Sequence, residues 1–209
     1  PVTPRNVFAV GLNYADHVAE SKMDVPTTPL VFTKFPSCIV GPNADVELRS
    51  AHADYEVELV VVIGRGGRDI AAGAAWDHVL GLTAGQDISD RALQFAAKPP
   101  HFDLGKSRDT YGPLGPTLVS PDMFADPTDL ALTCAINGEV RQNSRTSNMI
   151  FSVADQIAYL SSIMTLAPGD IIFTGTPDGV GGPNGIFLQP GDVITSWVEG
   201  IGTLTNRCV

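Results

Sequence analysis

The sequence predicts a β-rich α+β fold with few short helices, and three features of the chain point there. The apolar segments are short, rich in β-branched residues and bounded by glycine and proline, 21 and 16 of them in 209 residues. Only one stretch carries a clear helical spacing of apolar residues. The turn Pro-Gly-Asp occurs twice, at Pro168-Gly169-Asp170 and Pro190-Gly191-Asp192, each time before a strand-like segment; proline presets φ there and glycine tolerates φ > 0.

In chain order, the expected strands are Val7–Val10, Glu56–Ile63, Ala131–Ile136, Asp170–Phe173 and Val193–Val198. Short helices are expected over Tyr14–Glu20 and Ala72–Val79. The one amphipathic helix is Ser152–Thr165, where Val153, Ile157, Leu160, Ile163 and Met164 make an apolar stripe ended by Pro168-Gly169. The Gly- and Pro-rich region Thr110–Pro127 reads as a long loop. No repeat, low-complexity tract or composition break divides the chain, so 1–209 reads as one domain. Its apolar share of 44% against 17% charged predicts a large core.

Formal charge is −10, with 23 acidic against 13 basic residues, a field that repels phosphate backbones and anionic lipid and argues against nucleic acid as a partner. The same field repels an acidic substrate unless local positive charge outweighs it, which makes a bound cation useful. The three cysteines, Cys38, Cys134 and Cys208, are odd in number and lack Cys-x-x-Cys spacing, so buried free thiols are expected. No signal-like leader or membrane-length apolar run is present, and the expectation is a soluble, cytoplasmic protein without membrane contact. The chain starts at Pro1 with no methionine, so a segment upstream is expected.

The chemistry is most legible in Asp54-Tyr55-Glu56-Val57-Glu58-Leu59, which leads into Val60, Val61, Val62 and Ile63. Period 2 puts Glu56 and Glu58 on one face, about 7 Å apart along the strand. A Glu-x-Glu strand by itself is usually a solvated face. The continuous apolar run that follows, however, marks a strand buried on both faces, where unpaired carboxylates are costly. A hard divalent cation, Mg²⁺ or Mn²⁺ with Ca²⁺ as a third choice, removes that cost through oxygen ligands. Asp87, in Gly85-Gln86-Asp87 after the apolar Val79–Leu82 stretch, is the third candidate ligand; in isolation it reads more often as a turn or helix-cap residue.

At these residues the chain resembles the fumarylacetoacetate hydrolase superfamily over nearly its whole length. Seven stretches in order carry the resemblance: Gly11-Leu-Asn-Tyr-Ala-Asp-His17, Asp54-Tyr-Glu-Val-Glu58, Gly85-Gln-Asp87, Gly105-Lys-Ser-Arg-Asp-Thr110, Gly112-Pro-Leu-Gly-Pro116, Pro168-Gly-Asp170 and Thr174-Gly-Thr-Pro177. The resemblance implies a mixed β-roll or partly open barrel, assembled as a homodimer. It also implies Mg²⁺ or Mn²⁺ on Glu56, Glu58 and Asp87. Short members hydrolyse, decarboxylate or isomerise acylpyruvates and related diketo or enol acids, and many carry an extra N-terminal region not seen here.

Cleaving a C–C bond beside a ketone leaves an enolate, so a cation that chelates a 2-keto carboxylate stabilises the developing charge. The resemblance places Lys106 in the site, where it adds a second positive charge, and assigns Thr110 and Thr176 to substrate contact. Arg91 and Gln94 follow Asp87 by four and seven residues, and on a helix they lie on nearby faces. In similar enzymes the residue matching Gln94 holds water or a substrate oxygen. His17 and Glu20, three apart, share a helix face on which Glu20 can orient the imidazole as a base. In short relatives this segment, here about residues 1–30, is a lid that orders over substrate. His52, His78 and His101 read as structural or solvent-facing, while Arg108, Lys34 and Phe32–Phe35 are candidates for reading the far end of the substrate.

The expected activity is therefore divalent-metal-dependent hydrolysis of an acylpyruvate-like diketo acid. Its nearest alternative is a decarboxylase or enol–keto isomerase using the same metal and Lys106. A non-catalytic β-protein with structural Ca²⁺ is the alternative from another class; it fits less well because the acids come from two separate segments instead of one local run.

Overall fold

The computed structural model describes residues 4–21 and 24–209, so the expected lid falls partly outside the described residues. In chain order the elements are β1 (Val7–Gly11), α1 (Ala15–Ser21), β2 (Leu30–Thr33), β3 (Ile39–Val40), β4 (Ala53–Asp54), β5 (Val57–Ile63) and β6 (Val79–Gln86). They continue with β7 (Ser89–Asp90), α2 (Arg91–Gln94), α3 (Phe102–Gly105), β8 (Gly112–Val119), β9 (Ala131–Ile136) and β10 (Glu139–Arg145). The last are α4 (Val153–Ile163), β11 (Ile171–Phe173), β12 (Val193–Val198) and β13 (Gly202–Arg207). All five expected strands are present, as is the helix expected from its apolar stripe, α4, which begins at a reciprocal cap between Ser152 and Asp155.

Seven strands form a curled half-barrel in the order β2-β1-β11-β5-β6-β8-β3, and β10-β9-β12-β13 form a second, antiparallel sheet. The expected β-rich, partly open barrel with few short helices is what the chain adopts. Strand β5 lies at its centre, between β11 and β6. Val57, Leu59, Val61 and Ile63 join the main core with Leu132, Ile194 and Leu204 of the second sheet. On the opposite face Val60 packs in a smaller cluster with Phe173, Phe32, Val7 and Ala9. Both faces are thus covered, as the unbroken apolar run implies. Gly85 opposes Glu58 in the ladder, and a Cβ there would stand 2.6 Å from Phe173 and 2.7 Å from Val60, so only glycine allows this second cluster to close.

Buried amides tie the sheets together. Gln86 accepts from the Glu56 N–H at 2.9 Å and donates to Ser196 Oγ at 2.7 Å; Gln142 accepts from the Val57 N–H at 2.9 Å and donates to Thr176 Oγ1 at 2.9 Å. The strand carrying the acids is therefore fixed by side chains at its mouth end as well as by its ladder.

Two expectations are corrected. The region Thr110–Pro127 is not a long loop, because Gly112–Val119 is strand β8, paired antiparallel to β6. Its prolines read as breakers, yet β3 pairs only with Gly112 and Pro113, so Pro116 has no second neighbour to which its missing N–H would be lost. The helix expected over Ala72–Val79 is a 3₁₀ segment, Ala72–His78, and Val79 already begins β6. The three cysteines are buried and free, as expected. No helix among the described residues is long and apolar enough to cross a membrane.

Candidate metal centre and active site

Glu56 and Glu58 flank the first residue of β5, and Asp87 follows the last residue of β6. The Asp87 N–H donates to the Glu56 carbonyl at 2.9 Å, which locks the two acidic segments together. All three side chains are buried, and one carboxylate oxygen from each lies within 4.8 Å of the others.

Their partners differ. Asp87 receives Lys34 Nζ on Oδ1 and Lys106 Nζ on Oδ2, both at 2.7 Å. Glu56 receives Lys106 Nζ at 2.8 Å and Arg91 Nη2 at 2.7 Å. Burial alone would push the Glu56 carboxyl up; Lys106, Arg91 and His17 outweigh it and bring it down from 4.5 to about 2. Glu58, by contrast, has no cationic partner among the described residues. Its Oε2 accepts the Gly175 N–H at 2.7 Å, and burial, then Asp87 and Glu56, push its carboxyl well above the ordinary 4.5. Gly175 holds φ +102°, and a Cβ there would stand 2.7 Å from Asn13 Cβ, so the loop delivers this N–H only as glycine.

The donor set fits a hard divalent ion: three carboxylates converge from a rigid strand pair, and one of them, Glu58, makes no ion pair among the described residues. Ion binding must displace the Glu58 proton, which fixes the sign of its pH dependence. The expected result is that Mn²⁺ affinity falls roughly tenfold per unit as pH drops below the Glu58 value, with proton uptake on release. Because that carboxyl lies above 4.5, the fall begins at a higher pH than for an ordinary glutamate. Calorimetric titration in two buffers of different ionisation enthalpy measures both quantities, and an affinity that stays flat down to the ordinary glutamate value of 4.5 contradicts the assignment.

A cavity of about 470 Å³ opens over this cluster. Glu56, Lys106, Arg91, Gln94, Thr176, His17 and Glu20 all line it, so seven of the ten sequence candidates meet there, with Glu58 and Asp87 buried beside them. Lys106 Nζ also donates to Ser89 Oγ at 2.8 Å. Arg91 binds Asp54 through Nε at 2.9 Å and Gln94 Oε1 through Nη1 at 3.0 Å. That leaves Gln94 Nε2 without a partner among the described residues. Thr176 Oγ1 donates to the Val57 carbonyl at 2.9 Å and accepts from Gln142, so its proton is already committed to the scaffold. His17 Nδ1 stands 3.5 Å from Glu20 Oε2, while Glu20 also accepts the Gly179 N–H at 3.2 Å.

Thr110 is the exception. It does not line the cavity; its Oγ1 accepts the Glu47 N–H at 2.8 Å on a residue with φ +69°, a structural turn role. Two candidates for reading the far end of a substrate are likewise placed elsewhere. Arg108 is held by Asp90 at 2.8 Å outside the cavity, and Lys34 is buried on Asp87 with its ammonium also donating to the Lys106 carbonyl. Sequence reasoning gave no role to Asp54, which accepts from Arg91 and from the N–H groups of Gly181 and Gly182 at 2.7 and 2.9 Å. Its period-2 spacing from Glu56 and Glu58, in Asp54-Tyr-Glu-Val-Glu58, was the available signal. His78 is buried with Nδ1 on the Arg65 carbonyl, and His52 and His101 are exposed.

Comparison with known proteins agrees with this geometry. The model of the family described as "Fumarylacetoacetate (FAA) hydrolase C-terminal" matches residues 6–209. The human mitochondrial oxaloacetate tautomerase FAHD2A is 45% identical over 214 residues, covering 100% of this chain and 68% of that protein. Among solved structures, a putative HpcE protein from Mycobacterium smegmatis superposes with a TM-score of 0.96 at 52% identity, covering 99% of this chain and 75% of that one. Fumarylpyruvate hydrolase from Pseudomonas aeruginosa, in complex with Mn²⁺ and pyruvate, superposes with a TM-score of 0.90 at 33% identity, covering 100% of this chain and 97% of that one. The chain belongs to the fumarylacetoacetate hydrolase family.

Proposed function

We propose that this enzyme hydrolyses the C–C bond of an acylpyruvate-like diketo acid, with Mg²⁺ or Mn²⁺ held by Glu56, Glu58 and Asp87. The observation that carries the reading is the placement of His17 and Glu20 on the wall of the same cavity as Glu56 and Lys106. When bound, the ion would serve as a Lewis acid for the enolate oxygen that develops on the 2-keto carboxylate. Lys106 contributes a fixed ammonium beside that position, and burial keeps its charge from being screened by water.

His17, oriented by Glu20, takes a proton from water as the oxygen adds to the distal carbonyl carbon. The bond from that carbon to the methylene then breaks, giving a carboxylic acid and the enolate of pyruvate, which is protonated at carbon. Gln94, with its free amide N–H, is placed to hold the water or the distal oxygen. Arg91 acts by keeping Glu56 ionised and Gln94 oriented. Helix α1, which carries His17 and Glu20, would close over the substrate as a lid.

A second reading is favoured by the name of a relative 45% identical over the whole chain: keto–enol tautomerisation of an oxaloacetate-like acid. It would need a base at the site and no attacking water. His17→Ala separates the two. The expected result is a loss of C–C hydrolysis of about 10²- to 10⁴-fold with enolisation of the same substrate retained, followed by solvent deuterium exchange at the methylene. Metal-loaded protein that tautomerises oxaloacetate yet cleaves none of a panel of acylpyruvates replaces the hydrolytic reading with the tautomerase one.

A further inference from the structure

The inference rests on the reading that the cavity takes a 2-keto acid with its carboxylate end at the acidic cluster, and it concerns the opposite end. Three aromatic rings form a file along the cavity wall. The Phe32 ring lies 5.1 Å from the Lys106 ammonium; Phe102 meets Phe32 edge to face at 5.6 Å and 70°; Phe95 meets Phe102 at 6.2 Å and 75°. Exposure rises along the file, from 9% at Phe32 to 56% at Phe95, so it runs from the buried ammonium to the mouth. Gly11 keeps the space beside the first two rings open, since a Cβ there would stand 3.6 Å from each.

Charge on the wall is already spoken for. Arg91 is committed to Asp54, Glu56 and Gln94, and Lys106 to Glu56, Asp87 and Ser89. The remaining carboxylate on the lining is Glu20. A second substrate carboxylate reaching toward the mouth would shed water against phenyl rings, find among the described lining residues only His17 as a further basic group, itself 3.5 Å from Glu20, and share the space with that anion. An aryl or branched alkyl group would instead release water from the rings.

We propose that the cavity selects 2-keto acids whose distal group is apolar and uncharged, and that Phe102, the middle ring of the file, sets this preference. Keto diacids are then the poorer substrates, a division that the shared acidic cluster would not produce.

The test is calorimetric binding to the Mn²⁺-loaded protein of 2-oxo-4-phenylbutanoate and 2-oxopentanedioate, neither of which offers a 1,3-diketone to cleave. The turnover of benzoylpyruvate is compared with that of fumarylpyruvate alongside. The phenyl compound is expected to bind about tenfold or more tightly, the scale on which pockets discriminate apolar groups. Phe102→Ala should bring the two ligands within about threefold, and Phe102→Arg should reverse their order. Phe95→Ala, at the exposed end, serves as a second variant that narrows the ratio should the Phe102 variants misfold. Tighter binding of the diacid to the unaltered protein, or a ratio unmoved in folded Phe102→Ala, overturns the proposal. If the order is reversed while acylpyruvate turnover persists, this inference alone falls; if neither ligand binds, the keto-acid reading falls and takes the inference with it.

Discussion

Glu58→Gln is expected to lower Mn²⁺ affinity at least ~100-fold, the upper end of the cost of losing an outer-sphere partner of a metal ligand, and to abolish metal-dependent turnover. Without metal, the same variant should be as stable as the parent or more so. Glu58 is the one member of the cluster that makes no ion pair among the described residues, and burial, Asp87 and Glu56 outweigh the more distant Lys106 charge, so a neutral side chain that still accepts the Gly175 N–H removes a group whose charged form is disfavoured there. Asp87→Asn should behave oppositely, since it strips a carboxylate from two buried ammonium groups, Lys34 and Lys106. Thermal unfolding in chelator and calorimetric Mn²⁺ titration together check the pair. Equal destabilisation of both metal-free variants would show that the three acids are not differentiated as the geometry implies.

Arg91→Ala is expected to destabilise the protein by about 3–5 kcal/mol, because the guanidinium is shared between two buried carboxylates, Asp54 and Glu56. For a chain of this size that corresponds to roughly 6–20 °C in Tm, read by scanning calorimetry. The acid limb should change as well. Glu56 has its folded carboxyl depressed to about 2 against an unfolded 4.5, so its contribution is fully present above pH 4.5 and is lost as pH falls through about 2. Removing Arg91 takes away one of the two largest opposing charges, and the acid loss of stability should begin at higher pH. Arg91→Lys restores charge without the fork that spans Asp54, Glu56 and Gln94, and it should recover only part of the loss. A Tm within 2 °C of the parent for Arg91→Ala would contradict the structural role.

The acidic cluster was legible in the sequence for a particular reason. In β5 the odd positions pack the main core and Val60 packs the second cluster, so Glu56 and Glu58 interrupt a strand that has no solvated face. That contradiction is visible without a structure. The role of Lys34 was not, because nothing in its local sequence points to Asp87, and it stood only as a candidate for reading the far end of a substrate. Only the fold brings it to Asp87, 53 residues away, and to the Lys106 carbonyl, 72 residues away. Strand β8 was hidden by its own prolines, which local propensity scores as breaks and which the narrow pairing with β3 tolerates. Thr110 misled through its neighbours: it ends a stretch whose lysine does reach the cavity, but its own backbone turns the side chain back toward Glu47. Motif membership located the neighbourhood correctly there; conformation decided the residue.

The parallel pairing of β1 with β11 joins Val7 to Ile171. During translation the first strand must therefore wait for its neighbour, roughly 10–30 s at ordinary elongation rates of ~5–20 residues per second. Throughout that interval β1 has only β2 to pair with and its other edge stays open, and the loop that supplies Gly175 to Glu58 has not left the ribosome. The nascent chain is thus at its stickiest before its ion site can exist. Chaperone dependence and poor yield of C-terminally shortened forms are the expected cellular signature of that closure across the ends of the fold.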